Sequence, residues 1–115
     1  MVDMKEIEAI LEELKPTRED IKIKLVALGE RSESTKRTLF FLWMRRNKEI
    51  TSKDLAEFLG VRTAQALDTL KYFRNLGILS ECARPDSKVK NFIVKDFELL
   101  DEVVKTLLKK RLKAP

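Results

Sequence analysis

The sequence lacks histidine altogether and holds a single cysteine, Cys82, among its 115 residues. Without histidine the protein has no imidazole to act as a general base or to bind a metal ion. One cysteine cannot build a disulfide framework or a zinc site of sulfur ligands. We therefore predict neither a metal nor a cofactor, and we interpret Cys82 as a small residue of a strand.

Glycine is also scarce, because Gly29, Gly60 and Gly77 are the only three and they lie far apart. This spacing excludes the glycine-rich loop that holds phosphate groups in nucleotide-binding enzymes. The paired acids at 12–13 and 19–20 lie on expected helix surfaces or caps. Because the sequence offers no candidate for an imidazole base, a metal site or a phosphate-binding loop, we expect no enzymatic activity.

Long apolar runs are missing as well. No stretch approaches the ~20 apolar residues of a membrane-spanning helix. The N-terminus is acidic and polar, unlike a signal peptide. These features predict a cytoplasmic protein with no membrane partner.

Charged residues, by contrast, make up 37% of the chain, while glutamine occurs once and asparagine three times. This combination is typical of proteins from thermophiles, and we expect such a source. Residues 1–33 carry a net charge of −3, residues 34–95 of +7 and residues 96–115 of +1. A basic central segment is typical of nucleic-acid binding, and a solvated charged surface is the alternative.

Residues 51–79 carry the most specific pattern of the chain. Thr51 and Asp54 have the spacing of a capping box, which predicts the start of a short helix. Gly60 follows the last apolar residue of that helix and can take the left-handed conformation that ends helices. Apolar residues then recur at helical spacing at positions 66, 67, 70 and 73, before the extended run at 76–79. Two short helices joined by a tight turn and followed by a strand are therefore predicted.

This segment resembles the winged helix-turn-helix family of transcription regulators, chiefly in the motifs at 59–64 and 70–79, which align without a gap. The resemblance covers residues 34–95. It implies an α+β protein that is mainly α with a small β-hairpin wing. We expect a single domain, 1–115, made of an N-terminal helical extension (1–33), a winged-helix core (34–95) and a C-terminal helix (96–115).

The N-terminal extension is predicted to be helical from its apolar periodicity. We expect helices at 3–15 and 17–28, with Gly29 as the stop of the second helix and a polar linker at 30–34. The alternation at 21–25 is also compatible with a strand, but both ends of the segment carry helix signals.

The remaining elements follow from similar patterns. A helix at 34–47 has an apolar centre that predicts burial on several sides. A short strand at 49–50 precedes the helix-turn-helix, and a hairpin at 78–94 forms the wing, with a turn at 84–87. A final helix runs from about 96 to 112.

The helices outside the winged core carry apolar faces that need cover. In winged-helix regulators such terminal helices commonly build a dimer. The resemblance therefore implies a homodimer formed through the terminal helices, with the last helix as the main candidate. Packing of these helices onto their own domain is the alternative.

The resemblance places the helix at 63–75 in the major groove of double-stranded DNA. Its candidate contact residues are Arg62, Thr63, Gln65, Thr69, Lys71 and Arg74. Arg62 and Gln65 can pair bidentately with guanine and adenine edges, respectively. Further candidates for DNA contacts are Arg84, Lys88 and Lys90 on the wing, and Arg45 and Arg46 before the first strand.

Two positions depart from the family pattern. Members often carry serine at the position of Leu67 and arginine at that of Asp68. An acid on this face repels phosphate, and Leu67 is either a core residue or an apolar contact surface. Our first hypothesis is a non-enzymatic, dimeric transcriptional regulator that binds duplex DNA, with no small-molecule ligand inferred. The alternatives are a protein–protein interaction module in a replication or transcription assembly and, third, RNA binding.

Overall fold

The computed structural model describes residues 3–14, 17–82 and 90–113, with side chains in these ranges up to residue 110. Over these residues the chain forms six helices and three short strands. The helices are α1 (Met4–Leu14), α2 (Arg18–Arg31), α3 (Glu33–Met44), α4 (Ser52–Leu59), α5 (Thr63–Asn75) and α6 (Phe97–Lys113). The strands are β1 (Ile50–Thr51), β2 (Leu79–Cys82) and β3 (Asn91–Val94). The predicted fold, mainly α with a small β-hairpin, is confirmed.

The helix-turn-helix forms because its ends are marked locally. Thr51 Oγ1 accepts from the Asp54 amide at 3.1 Å, and the Asp54 carboxylate accepts from the Thr51 amide at 3.2 Å. This capping box starts α4. Gly60 ends α4 with a left-handed φ of 71° and donates its N–H to the Ala56 carbonyl at 2.8 Å. The chain thereby turns sharply into α5.

The three strands form one antiparallel sheet in the order β1-β3-β2. Thr51 lies opposite Asn91, which also pairs with Cys82 on the other side. The strand ends Cys82 and Asn91, which flank the loop between β2 and β3, therefore lie at the end of the sheet where α4 begins. This loop, with the turn predicted at 84–87, lies outside the described residues. At the opposite end of the sheet, β3 leads into α6.

The connection between α2 and α3 corrects the prediction. Gly29 does not end α2, which continues to Arg31, and the polar linker expected at 30–34 is reduced to Ser32. Ser32 caps both helices, and its hydroxyl accepts an amide hydrogen bond from the first turn of α3. Gly29 is buried against α6, where an added Cβ would lie 2.8 Å from Leu107 Cδ1. The position requires a small residue, not a left-handed backbone.

Helix α3 lies at the centre of the core but ends at Met44 rather than at the predicted residue 47. Its apolar middle is only partly enclosed: Leu39, Phe41 and Leu42 are buried, whereas Met44 is 57% exposed. The largest fully buried side chains are Leu25, Leu39, Leu42, Ile50, Leu55, Leu70, Phe73, Ile78, Leu79, Phe92, Leu100 and Val103. Helices α2 and α6 thus share one core with the winged segment.

Helix α1 forms where predicted but packs differently from the other helices, because none of its eleven residues is buried. Its large apolar side chains are all exposed, from 44% at Ile7 to 74% at Met4. An isolated helix of this length is only marginally stable in water, so its apolar face needs a partner. Neither α1 nor any other helix within the described ranges is long and apolar enough to cross a membrane.

Candidate nucleic-acid interface

Helix α5 presents exposed polar residues at its start. Arg62 occupies the N-cap position with an extended backbone, and among the described residues its side chain makes no capping hydrogen bond. Thr63 and Gln65 follow, and both are exposed. The positive end of the helix dipole favours an anion at this terminus. Because both side chains are exposed, the guanidinium of Arg62 and the amide of Gln65 are available for contacts outside the protein.

The next turn of α5 borders a shallow cavity of about 310 Å³ against the first turns of α3. Asp68 and Thr69 line it from α5, and Ser34 and Thr35 line it from α3. Thr69 Oγ1 donates to the Gln65 carbonyl at 3.1 Å, so its hydroxyl hydrogen is used within the helix. The exposed Asp68 carboxylate places an acid in the middle of this polar surface.

Leu67 turns towards the protein. It is partly buried and packs against the hydrophobic core, which selects the core interpretation of this residue over an apolar contact surface. Of the two departures from the family pattern, only Asp68 therefore changes the exposed face of α5.

The end of α5 and the base of the wing are joined by ion pairs. Arg74 Nη1 donates to Glu81 Oε1, and Lys90 Nζ lies 3.8 Å from the same oxygen. Arg74 also donates to Asn75 Oδ1 from Nε at 3.3 Å and from Nη2 at 3.2 Å. Two of the predicted DNA-contacting residues therefore share one acid. Sequence reasoning missed Glu81, because no helix or strand periodicity relates it to Arg74 across the connection between α5 and β2.

Arg45 and Arg46 lie at the end of α3, on the side of the sheet from which β3 leads into α6. The Arg46 guanidinium carbon is 4.2 Å from the Trp43 ring centroid and 5.5 Å from that of Phe97. Its Nη1 also donates to the Trp43 carbonyl at 3.0 Å. Arg45 is exposed, with its guanidinium carbon 5.4 Å from the Phe41 ring centroid. These contacts favour a packing role for Arg46 between α3 and α6.

A polar cluster next to Trp43 completes this α3–α6 contact. Lys105 Nζ lies 2.8 Å from Asp101 Oδ2, and Trp43 Nε1 donates to Asp101 Oδ1 at 2.9 Å. The hydrogen bond from Lys105, followed by that from Trp43, holds the pKa of Asp101 below its ordinary value. The cluster joins two helices and lies away from the start of α5.

The other predicted contact residues are distributed unevenly. Lys71 is half-buried on α5, and Lys90 is exposed at the start of β3. Arg84 and Lys88 lie outside the described residues. Within the described ranges, no group of three or more histidine, cysteine, aspartate or glutamate residues is arranged to hold a metal ion.

Two helices across a left-handed glycine turn, followed by an antiparallel hairpin, define the winged helix-turn-helix fold of transcription regulators. Solved structures with this fold are similar to the chain over nearly its whole length. MepR from Staphylococcus aureus, in its complex with DNA, has a TM-score of 0.60 and 13% identity, over 96% of this chain and 85% of MepR.

Two further structures are similar in the same way. One is a homodimeric winged helix-turn-helix DNA-binding domain from Mycobacterium bovis, a possible ArsR-family regulator (TM-score 0.57, 13% identity, 98% of this chain and 92% of that one). The other is the heme sensor PefR from Streptococcus agalactiae in complex with heme (0.53, 14%, 96% and 79%). No family model and no curated protein sequence matches the chain. At these identities the likeness concerns the fold.

Proposed function

We propose that the protein is a non-enzymatic regulator that binds duplex DNA in the cytoplasm as a homodimer. The observation that carries this proposal is the exposed start of α5, where Arg62, Thr63 and Gln65 follow the helix-turn-helix turn. MepR, which has this fold, is seen in complex with DNA. The net charge of +7 on residues 34–95 supports the same partner, because neutralising phosphates dominates affinity for DNA.

Within this proposal the residues of α5 have different roles. Arg62 and Gln65, three positions apart, can reach base edges in the major groove, where an arginine or glutamine forms bidentate hydrogen bonds. Asp68 can accept a hydrogen bond from cytosine on the same face. Lys71 and the wing residues Arg84 and Lys88 supply phosphate contacts, which position the protein without reading sequence.

A fluorescence-anisotropy titration with duplex DNA of about 20 base pairs, at several salt concentrations, tests the proposal. We expect affinity to fall steeply with salt, and Arg62→Ala to weaken binding to a preferred site by about 10-fold. Arg18→Ala removes the same charge at the start of α2, where Arg18 pairs with Asp96, and serves as the matched control. Binding that ignores salt, or equal effects of the two substitutions, contradicts DNA binding through α5. In that case a stoichiometric protein partner on co-purification supports the interaction-module alternative.

The homodimer is proposed from the exposed face of α1. A second apolar surface lies on the same chain, in a cavity of about 360 Å³ between α3 and α6 that is lined by Phe40, Trp43, Met44, Val104 and Leu108. The two chain segments have opposite charge, because residues 3–14 carry a net charge of −4 and residues 105–113 carry five basic residues and no acid. The cavity itself is also lined by Asp101 and its ion-pair partner Lys105. We propose that α1 of one protomer packs against α3 and α6 of its partner.

Light scattering on the purified protein tests the dimer. We expect a mass twice the 13.4 kDa of the chain. Charging the apolar face with Ile10→Glu and Leu11→Glu is expected to give a monomer. Glu6→Gln on the same helix is the control and is expected to leave the dimer intact. A wild-type monomer at micromolar concentration, or a dimer that survives both charges, contradicts this interface.

A further inference from the structure

The base of the wing contains an arrangement that DNA contact alone does not explain. Glu81 Oε1 is shared by Arg74, at the end of the helix proposed to enter the groove, and by Lys90, at the start of the returning strand. The two cations come from different elements and meet at one carboxylate oxygen. In the uncomplexed protein, an acid therefore stands between two of the basic residues expected to meet DNA.

The contact of Arg74 and Lys90 with the Glu81 carboxylate is of the same chemical kind as a contact with a DNA phosphate. Guanidinium and ammonium groups bind carboxylate and phosphate oxygens through the same charge-assisted hydrogen bonds. Resting on the proposed function, we propose that Glu81 is an internal competitor of DNA phosphate. It occupies Arg74 and Lys90 in the free protein, and a phosphate replaces it when the wing meets the duplex.

The exposure of the three side chains makes this exchange feasible. The side chains of Arg74 and Glu81 are 32% and 34% exposed, and that of Lys90 is 52% exposed. Ion pairs at such positions are weak, because water and salt screen them. A phosphate can therefore displace the carboxylate without disturbing buried groups. Because Asn75 Oδ1 also accepts from Arg74, the guanidinium keeps a partner and an orientation during the exchange.

Glu81 is therefore expected to make DNA binding weaker and less dependent on salt than the number of basic residues predicts. With Glu81 charged, the cluster carries one net positive charge; without it, the cluster carries two. Each additional phosphate contact steepens the slope of log affinity against log salt by about 0.9. Glu81 therefore lowers the affinity for every duplex, whatever its sequence. As a result, the contacts of Arg62 and Gln65 with bases contribute a larger share of the total binding free energy at a preferred site.

Glu81→Gln tests this role, because glutamine keeps the shape and the acceptor oxygen but removes the charge. We expect binding to duplex DNA to tighten by about 5- to 10-fold at about 0.1 M salt, with a salt slope steeper by about one phosphate contact. Glu98→Gln removes the same charge from an exposed residue at the start of α6 and is the matched control. It is expected to change affinity by less than about twofold, given the weak effect of exposed charges.

A double substitution locates the effect. In an Arg74→Gln background, the gain from Glu81→Gln is expected to fall to less than half, because one of the released cations is gone. If Glu81→Gln weakens binding with an unchanged salt slope, Glu81 only supports the wing and the proposal is wrong. If it matches Glu98→Gln while the wild-type protein binds DNA with a steep salt dependence, competition is refuted and DNA binding stands. Wild-type protein that does not bind duplex DNA overturns both.

Discussion

Gly60 and Gly29 both lie near the C-terminal end of a helix, but for different physical reasons. Gly60 has a φ of 71° and has no other described atom within 4 Å of the place where a Cβ would stand. Gly29 lies inside α2, and an added Cβ would meet the buried Leu107. The first glycine serves the backbone of the helix-turn-helix, and the second permits α2 and α6 to approach. Glycine is thus needed at position 60 for a local reason, the left-handed backbone, and at position 29 for a tertiary reason, the close packing of two helices.

The two regions also differ in what covers them. The helices of the helix-turn-helix are anchored in the core, whereas α1 in the N-terminal region buries none of its residues. Local signals are equally clear in both regions, since α2 begins with the capping box of Thr17 and Asp20 and α4 with that of Thr51 and Asp54. Clear helix signals therefore do not reveal what a helix packs against.

The largest expected effect contrasts two leucines. Leu70 on α5 is fully buried, and Leu11 on α1 is 57% exposed. Leu70→Ala is expected to lower the free energy of unfolding by about 2–5 kcal/mol, because it leaves a cavity in the core. Leu11→Ala is expected to cost under about 0.5 kcal/mol within one protomer. Urea denaturation at several protein concentrations measures both changes in the free energy of unfolding. If the loss of stability relative to wild type depends on protein concentration for Leu11→Ala but not for Leu70→Ala, α1 is part of the dimer contact.

The second effect concerns the contact of α2 with α6. Gly29→Val is expected to destabilise the protein by about 1–3 kcal/mol, because the new side chain overlaps Leu107. In a Leu107→Ala background the same substitution is expected to cost clearly less, since the opposing methyl groups are gone. Thermal unfolding of the four variants in this cycle measures the coupling. Additive effects contradict a steric role for Gly29.

A smaller effect is expected at Gly60. Gly60→Ala is expected to cost about 1 kcal/mol, because a Cβ disfavours the left-handed conformation. Gly60→Asn is expected to cost less, since asparagine tolerates this region. Thermal unfolding measures both variants. Equal losses for alanine and asparagine argue that side-chain bulk, rather than φ, limits this position.

The smallest effect is a pH dependence at the start of α2. Hydrogen bonds from the Thr17 amide, and then from its side chain, hold the pKa of Asp20 below its ordinary value. The unfolded chain therefore binds this proton more readily than the folded one, so the stabilisation is present at neutral pH. It is lost as the pH falls from the ordinary aspartate range through the lowered pKa. The Asp20→Asn variant is expected to have a lower melting temperature than wild type at pH 7, and this difference is expected to shrink in acid. A difference in melting temperature that does not change with pH contradicts this role of Asp20.

Much of the fold could be predicted because its determinants are short-range. The bounds of α5, the capping boxes and the turn at Gly60 follow from residues within a few positions of each other. The end of α2 could not be predicted in this way, because Glu30 and Arg31 continue the helix and Leu107, far along the chain, sets the size allowed at Gly29. The candidate site divides similarly: the exposure of Arg62 follows from its N-cap position, but the ion pairs of Arg74 depend on where β2 places Glu81.

The sequence by itself determined which segments are helices, that the chain turns at Gly60 and that the central segment is basic, since these depend on backbone preferences, capping and composition. Only the tertiary structure decided that Leu67 joins the core, that Arg46 stacks between α3 and α6, and that Glu81 meets two cations. These outcomes depend on distances between residues brought together by packing, which periodicity along one chain does not encode.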